Sequence, residues 1–191
     1  MISLAQLWLP ILLSTVAVFF ASSALHMALK FWHLPDYKGF SNEDEVRTAI
    51  RNGRPAAPGI YSLPLCNMET MNSPEMKQKF DEGPVGLMFL RPAGKMSMAA
   101  PMVQWFVFCL VVSLFAAYVA AATLAAGTDG AQVFRVVATA AFMAYAFGAV
   151  PNGIWYGQPW KSVFKHVVDG LVYALVTGAL FCWLWPDATA V

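Results

Sequence analysis

Four long apolar runs, Leu4 to Leu29, Pro101 to Ala126, Ala131 to Val150 and Ser162 to Trp185, leave this chain few folds to choose from. About 20 residues at roughly 1.5 Å each cross the hydrocarbon core of a bilayer, so every run is long enough to span one. Backbone inside lipid must satisfy its own hydrogen bonds, which makes each run a predicted helix. The expected fold class is an all-α membrane protein, with four transmembrane helices at 4–29, 101–126, 131–150 and 162–185 packed as a bundle. Residues 1–191 read as a single membrane domain whose first partner is the lipid bilayer.

Between the first and second runs lies an insert, residues 30–100, with 17 of the chain's 23 Lys, Arg, Asp and Glu residues. It is expected to form a small α+β extramembrane cap. Only 12% of the chain is charged, against about 25% in soluble domains, so polar chemistry has few places to sit. A formal net charge of +1 offers no basic surface and excludes nucleic acid as a partner. Of three cysteines, Cys109 and Cys182 fall in apolar runs as packing residues, and Cys66 stands alone in the insert. The first run has no Lys or Arg before Lys30. It also exceeds the roughly 7–15 apolar residues of a signal peptide, which predicts a retained helix.

Basic residues favour one side. Lys30, Lys38, Arg91, Lys95, Lys161 and Lys165 flank the spans on the insert side, whereas Arg135 stands nearest the membrane on the other. The positive-inside rule then places the insert in the cytoplasm and both termini outside. Trp32, Trp105, Trp155, Tyr156 and Trp160 are expected as interfacial anchors on the insert side, with Trp8, Trp183 and Trp185 opposite. Small residues recur at helical spacing, best in Gly170, Ala174 and Gly178, and predict close helix packing within the bundle or in a homo-oligomer.

The insert carries its own punctuation. Ser41 or Asn42 can cap a helix ending near Asn52, with Glu43, Asp44 and Glu45 in the first turn and Gly53 as the stop. Val46, Ala49 and Ile50 give it an apolar face. Ser73, Pro74 and Gly83 bracket a second helix. Gly59 to Leu65 and Val85 to Arg91 read as strands, followed by a turn at Pro92-Ala93-Gly94.

Ionisable residues within spans are functional candidates, because a charge in hydrocarbon costs several kcal/mol. His26, Lys30 and His33 share one helical face at the end of the first span. Lys165, His166 and Asp169 follow one another at the start of the fourth. Counted from Trp32 and Ser162, His26 and Asp169 both lie roughly 10 Å inside the insert-side boundary. They are expected to face the interior and to pair, directly or through water. The plainer alternative is that Asp169 pairs with Lys165 or His166 on its own helix. Gln104 and Asn152 complete a polar, ion- or proton-handling set of His26, His33, His166 and Asp169 at that mouth, since imidazole titrates near neutral pH.

Metal binding has two further candidate sets. His26, His33 and Asp36 offer nitrogen and oxygen ligands for zinc or a similar ion, at no standard zinc spacing. Cys66, Met68, Met71 and Met76 offer soft ligands of the Cu(I) type, although methionine also fills irregular apolar gaps. No nucleophile elbow, Walker loop, HExxH or paired Cys-x-x-Cys occurs, and no motif specifies a cofactor.

His33-Leu34-Pro35-Asp36-Tyr37, Pro58-Gly59-Ile60-Tyr61, Gly83-Pro84-Val85-Gly86 and Asn152-Gly153-Ile154-Trp155-Tyr156-Gly157, followed by Asp169-Gly170, together resemble a group of small bacterial multi-pass membrane proteins. That resemblance implies a bacterial cytoplasmic (inner) membrane and carries no activity with it. The leading expectation is a non-enzymatic accessory or structural component of a membrane complex. A small transporter or ion-handling protein is the alternative, and a metal-binding membrane protein is third.

Overall fold

A computed structural model describes residues 2–55 and 58–188 of the chain. They are mostly helical, and four helices are long and apolar enough to cross a membrane. In chain order the α-helices are α1 (Trp8–Ser23), α2 (Lys30–His33), α3 (Glu43–Asn52), α4 (Pro74–Glu82), α5 (Ala99–Thr123), α6 (Gly130–Ala146), α7 (Val150–Tyr156) and α8 (Trp160–Trp183). Two strands, β1 (Gly59–Leu63) and β2 (Gly86–Leu90), complete the set. The chain divides into two compact units: Met1–Tyr37 with Ser97–Gly153 and Gln158–Val191, and Lys38–Met96 with Ile154–Gly157.

In the first unit, α1, α5, α6 and α8 form a closed ring in which each helix packs on two others, with α6 on α8 the most extensive pairing. The helices are apolar around most of their circumference, so small residues decide where they meet. At Gly170 a methyl group would land 2.8 Å from Ala146 Cβ and 2.9 Å from its Cα, so only glycine admits this approach. Gly178 is equally tight against Ala138, and buried Ala174 packs with Ala141 between them. The expected small-residue face is therefore the α6–α8 seam.

Small hydroxyls within the ring are satisfied by backbone carbonyls of their own helices. Ser14 Oγ donates to Pro10 O at 2.6 Å and lies 3.1 Å from Ser113 Oγ across the α1–α5 interface. Thr15 and Thr177 donate back along their own helices to Ile11 O and Tyr173 O. Toward the chain termini the core is apolar, with Leu7, Val133, Val137 and Phe181 fully buried at its centre.

Two boundaries differ from the sequence reading, each for a local reason. The third apolar helix does not stop at Val150. It narrows to a 3-10 turn at Phe147–Ala149, where Pro151 lacks the N–H an α-helix would use, and resumes as α7. The first does not run straight to Trp32. Past Ser23 it opens into a π turn at Ala24–Ala28, closed by Leu29 N–H donating to Ala24 O at 3.0 Å, and then breaks at Leu29 before α2.

The second unit follows its punctuation closely. Asn42 precedes α3 and Gly53 ends it. Ser73 Oγ accepts from Met76 N–H at 3.1 Å to cap α4, and Gly83 stops it at a positive φ of 62°. The strands pair antiparallel, Gly59 opposite Leu90 and Leu63 opposite Gly86.

Candidate functional site

The π turn, α2 and the first turns of α8 all belong to the first unit, and they bring every histidine of the chain to one carboxylate. Asp169 is 2% exposed on the inward face of α8. Its Oδ2 lies 2.7 Å from His33 Nε2, 3.9 Å from His26 Nε2 and 3.9 Å from His166 Nδ1. Its Oδ1 accepts the Trp32 indole N–H at 2.8 Å. The four ligand-type atoms of His26, His33, His166 and Asp169 lie within 4.8 Å of one another. The rings of His26 and His33 stack at 4.2 Å with 12° between their planes, and His166 stacks on His33 at 5.2 Å.

Each ring is oriented by what its far side meets. His26 Nδ1 sits 3.0 Å from Ser22 O, which can only accept, so this nitrogen carries a proton. In a neutral imidazole Nε2 then turns a lone pair toward Asp169. Ser22 is itself held, since its Oγ accepts from Trp105 Nε1 at 2.7 Å. His33 is buried between two carboxylates, with Nε2 on Asp169 and Nδ1 3.9 Å from Asp36 Oδ2.

Asp36 is tied down from the other side. Its Oδ1 accepts from Lys165 Nζ at 2.6 Å, and the same ammonium donates to Trp32 O at the end of α2. That hydrogen bond, helped by the charges of Lys165 and His33, holds the Asp36 carboxyl below its ordinary value. Asp36 Oδ2 is buried without a hydrogen-bond partner.

No family model, curated protein or solved structure matches this chain. The chemistry must be read from the site itself.

Of the residues singled out from sequence, His26, His33, His166 and Asp169 come together. Asp169 is interior, whereas the His26 side chain is 43% exposed. Lys165 does not pair with Asp169 on its own helix; it reaches Asp36 and Trp32 instead. Lys30 leaves the His26 face at the Leu29 break and is exposed. Gln104 is exposed, and the inward position belongs to Trp105, one helical turn before buried Cys109. Asn152 spans the α7–α8 turn, where its carbonyl accepts from Gln158 N–H at 3.1 Å.

The two metal sets also change. Asp36 faces His33 and Lys165, and the ligand-type residues gathered with His26 and His33 are His166 and Asp169. In the second unit Met76 is buried, while Met71 is exposed, Met68 is 86% exposed and Cys66 Sγ contacts Asn67 O at 3.6 Å. Trp32 and Trp105, expected as interfacial anchors, turn their indole N–H groups inward to Asp169 and Ser22.

Proposed function

We propose that this is a multi-pass membrane protein, its four apolar helices lying in the bilayer, that handles a cation at the histidine–aspartate cluster. The reading is non-enzymatic. The observation that carries it is the convergence of all three histidines on buried Asp169. Two carboxylates, Asp36 and Asp169, share this end of the unit with one buried fixed cation, Lys165, which Asp36 takes. An anion left in a low-dielectric interior is costly, so Asp169 calls for a further positive charge. The histidines around it can accept a proton or ligate a metal ion, and both are exchangeable. The positive-inside bias supports a cytoplasmic insert with both termini outside, and the sequence resemblance supports a bacterial inner membrane.

The test is reconstitution into liposomes, with internal pH and metal indicators following flux across the membrane. A cation-dependent signal abolished by Asp169→Asn is expected, and a signal indifferent to that substitution defeats the reading.

An accessory role in a membrane complex has its own support in the second unit. Ile60 and Phe89 are directly paired across the two strands, so they share a face, and they remain 68% and 64% exposed. Apolar pairs left in this state favour a covering partner or lipid. Native purification in mild detergent addresses this: a stable stoichiometric partner supports the accessory role, and a lone protein or homo-oligomer counts against it.

A further inference from the structure

We propose that His26 Nε2, His33 Nε2, His166 Nδ1 and Asp169 Oδ2 form a binding site for one divalent first-row transition-metal ion. This inference rests on the cation reading above and specifies its ligand class. A proton on Asp169 or His33 would need one imidazole. Three imidazoles gathered around one carboxylate oxygen are more donors than a proton can use, but match the three-nitrogen, one-oxygen sphere of zinc and its neighbours. Ligands at about 2.0–2.1 Å from such an ion stand about 3.4 Å apart. The separations from Asp169 Oδ2, 2.7, 3.9 and 3.9 Å, straddle that value, so side-chain adjustments suffice. Imidazole-rich sets select zinc, copper, nickel, cobalt or iron over calcium and magnesium, which demand oxygen.

The outer partners point the same way. Metal-bound histidines commonly donate their other ring N–H to a carbonyl or carboxylate, and bound carboxylates are themselves hydrogen-bonded. Ser22 O fixes the His26 proton on Nδ1 and leaves Nε2 for the ion. Trp32 takes Asp169 Oδ1 and leaves Oδ2. The buried, unpartnered Asp36 Oδ2 faces His33 Nδ1 at 3.9 Å, and a shift of under about 1 Å would let Nδ1–H donate to it once Nε2 bound a metal. Without a metal, a neutral His33 can serve only one of its two carboxylates. The half-exposed side chain of His26 leaves an edge of the cluster open for an ion to enter.

The full-length protein in detergent, stripped with a chelator, should be titrated with Co²⁺ alone and then challenged with Zn²⁺. The expected result is one cobalt per chain, with the visible bands of a low-coordinate nitrogen–oxygen site, displaced by zinc. Asp169→Asn or His166→Gln should weaken binding more than about 100-fold, whereas Asp36→Asn, which touches only the outer shell, should cost about 10–100-fold with the stoichiometry kept. If the Asp169 variant fails to fold, His26→Gln on the open edge carries the test. Absence of saturable one-to-one binding, or binding unchanged by these substitutions, overturns the metal site. Should metal binding fail while Asp169-dependent proton flux persists, the cation reading survives as a proton site. If both fail, both fall.

Discussion

Toward the end of α8, Phe181 lies fully buried among Leu7, Ala117, Val133 and Val137, and Trp185 closes the apolar cluster behind it. Roughly 18 Å back along the same helix, Asp169 gathers three imidazoles and an indole, and Lys165 reaches across to Asp36. One rod serves a dry end and a polar end. In lipid, apolar burial gives little drive to helix association, because the tails are as apolar as leucine. The dry end therefore holds mainly by close packing, with the Trp185 indole N–H donating to Ala125 O at 3.0 Å at its rim. The polar end is arranged by charges and hydrogen bonds around Asp169 and Lys165. Different perturbations should thus break each end separately.

The largest effect should come from the seam that both ends share. Gly170→Leu drives a side chain into the backbone of Ala146 and should destabilise the unit by about 3 kcal/mol or prevent folding, read from thermal melting in detergent. Next is a change confined to the polar end. Asp169→Asn should weaken cation binding more than about 100-fold, beyond the loss of an outer partner. In the metal-free protein it should leave the melting temperature unchanged or raised, because it removes an uncompensated buried charge. A sharp fall in melting temperature would mean that this end is structural.

At the dry end, Phe181→Ala should do the reverse. It should cost about 1–2 kcal/mol, less than the roughly 3–5 kcal/mol typical of soluble cores, because lipid also solvates the exposed ring and mainly the packing loss remains. Cation binding should not change, and a change would show that the two ends are coupled. Smallest is the hydroxyl contact between α1 and α5. Ser14→Ala should cost about 0.6 kcal/mol, as interhelical hydrogen bonds in membranes do, measured in a double-mutant cycle with Ser113→Ala.

What the sequence disclosed divides along similar lines. The four apolar helices, α3, α4 and the strand pair were legible because length, caps and glycine stops are local signals. The depth argument that matched His26 with Asp169 assumed a straight helix to Trp32, which the π turn and the break at Leu29 interrupt. The sequence could group His26, His33, His166 and Asp169 at one mouth, but not show how closely they meet. His33 and Asp169 are 136 residues apart, and only the ring packing of α1 and α8 makes them neighbours. The i, i+3 spacing of His166 and Asp169 was available as a two-ligand face on one helix. Asp36 drew attention away from it by lying three residues from His33. Lys165 misled for the opposite reason. Its spacing from Asp169 suits a pair on one helix, but the carbonyl end of α2 and the Asp36 carboxylate together offer the ammonium two acceptors.

The turn at Ala24–Ala28 also sets a counting rule for the chain. Its wider hydrogen-bonded loop accommodates one residue more than an α-helix would over the same path. Removing a single residue there would leave the apolar span almost as long and almost as apolar. Yet the turn would close to an α-helix over that path, and the side chains it aims, His26 among them, would be presented differently. Hydropathy would not notice such a deletion, and Asp169 would. The exact number of residues between Ser22 and His33, as much as their identity, is therefore part of what this end of the molecule needs to work.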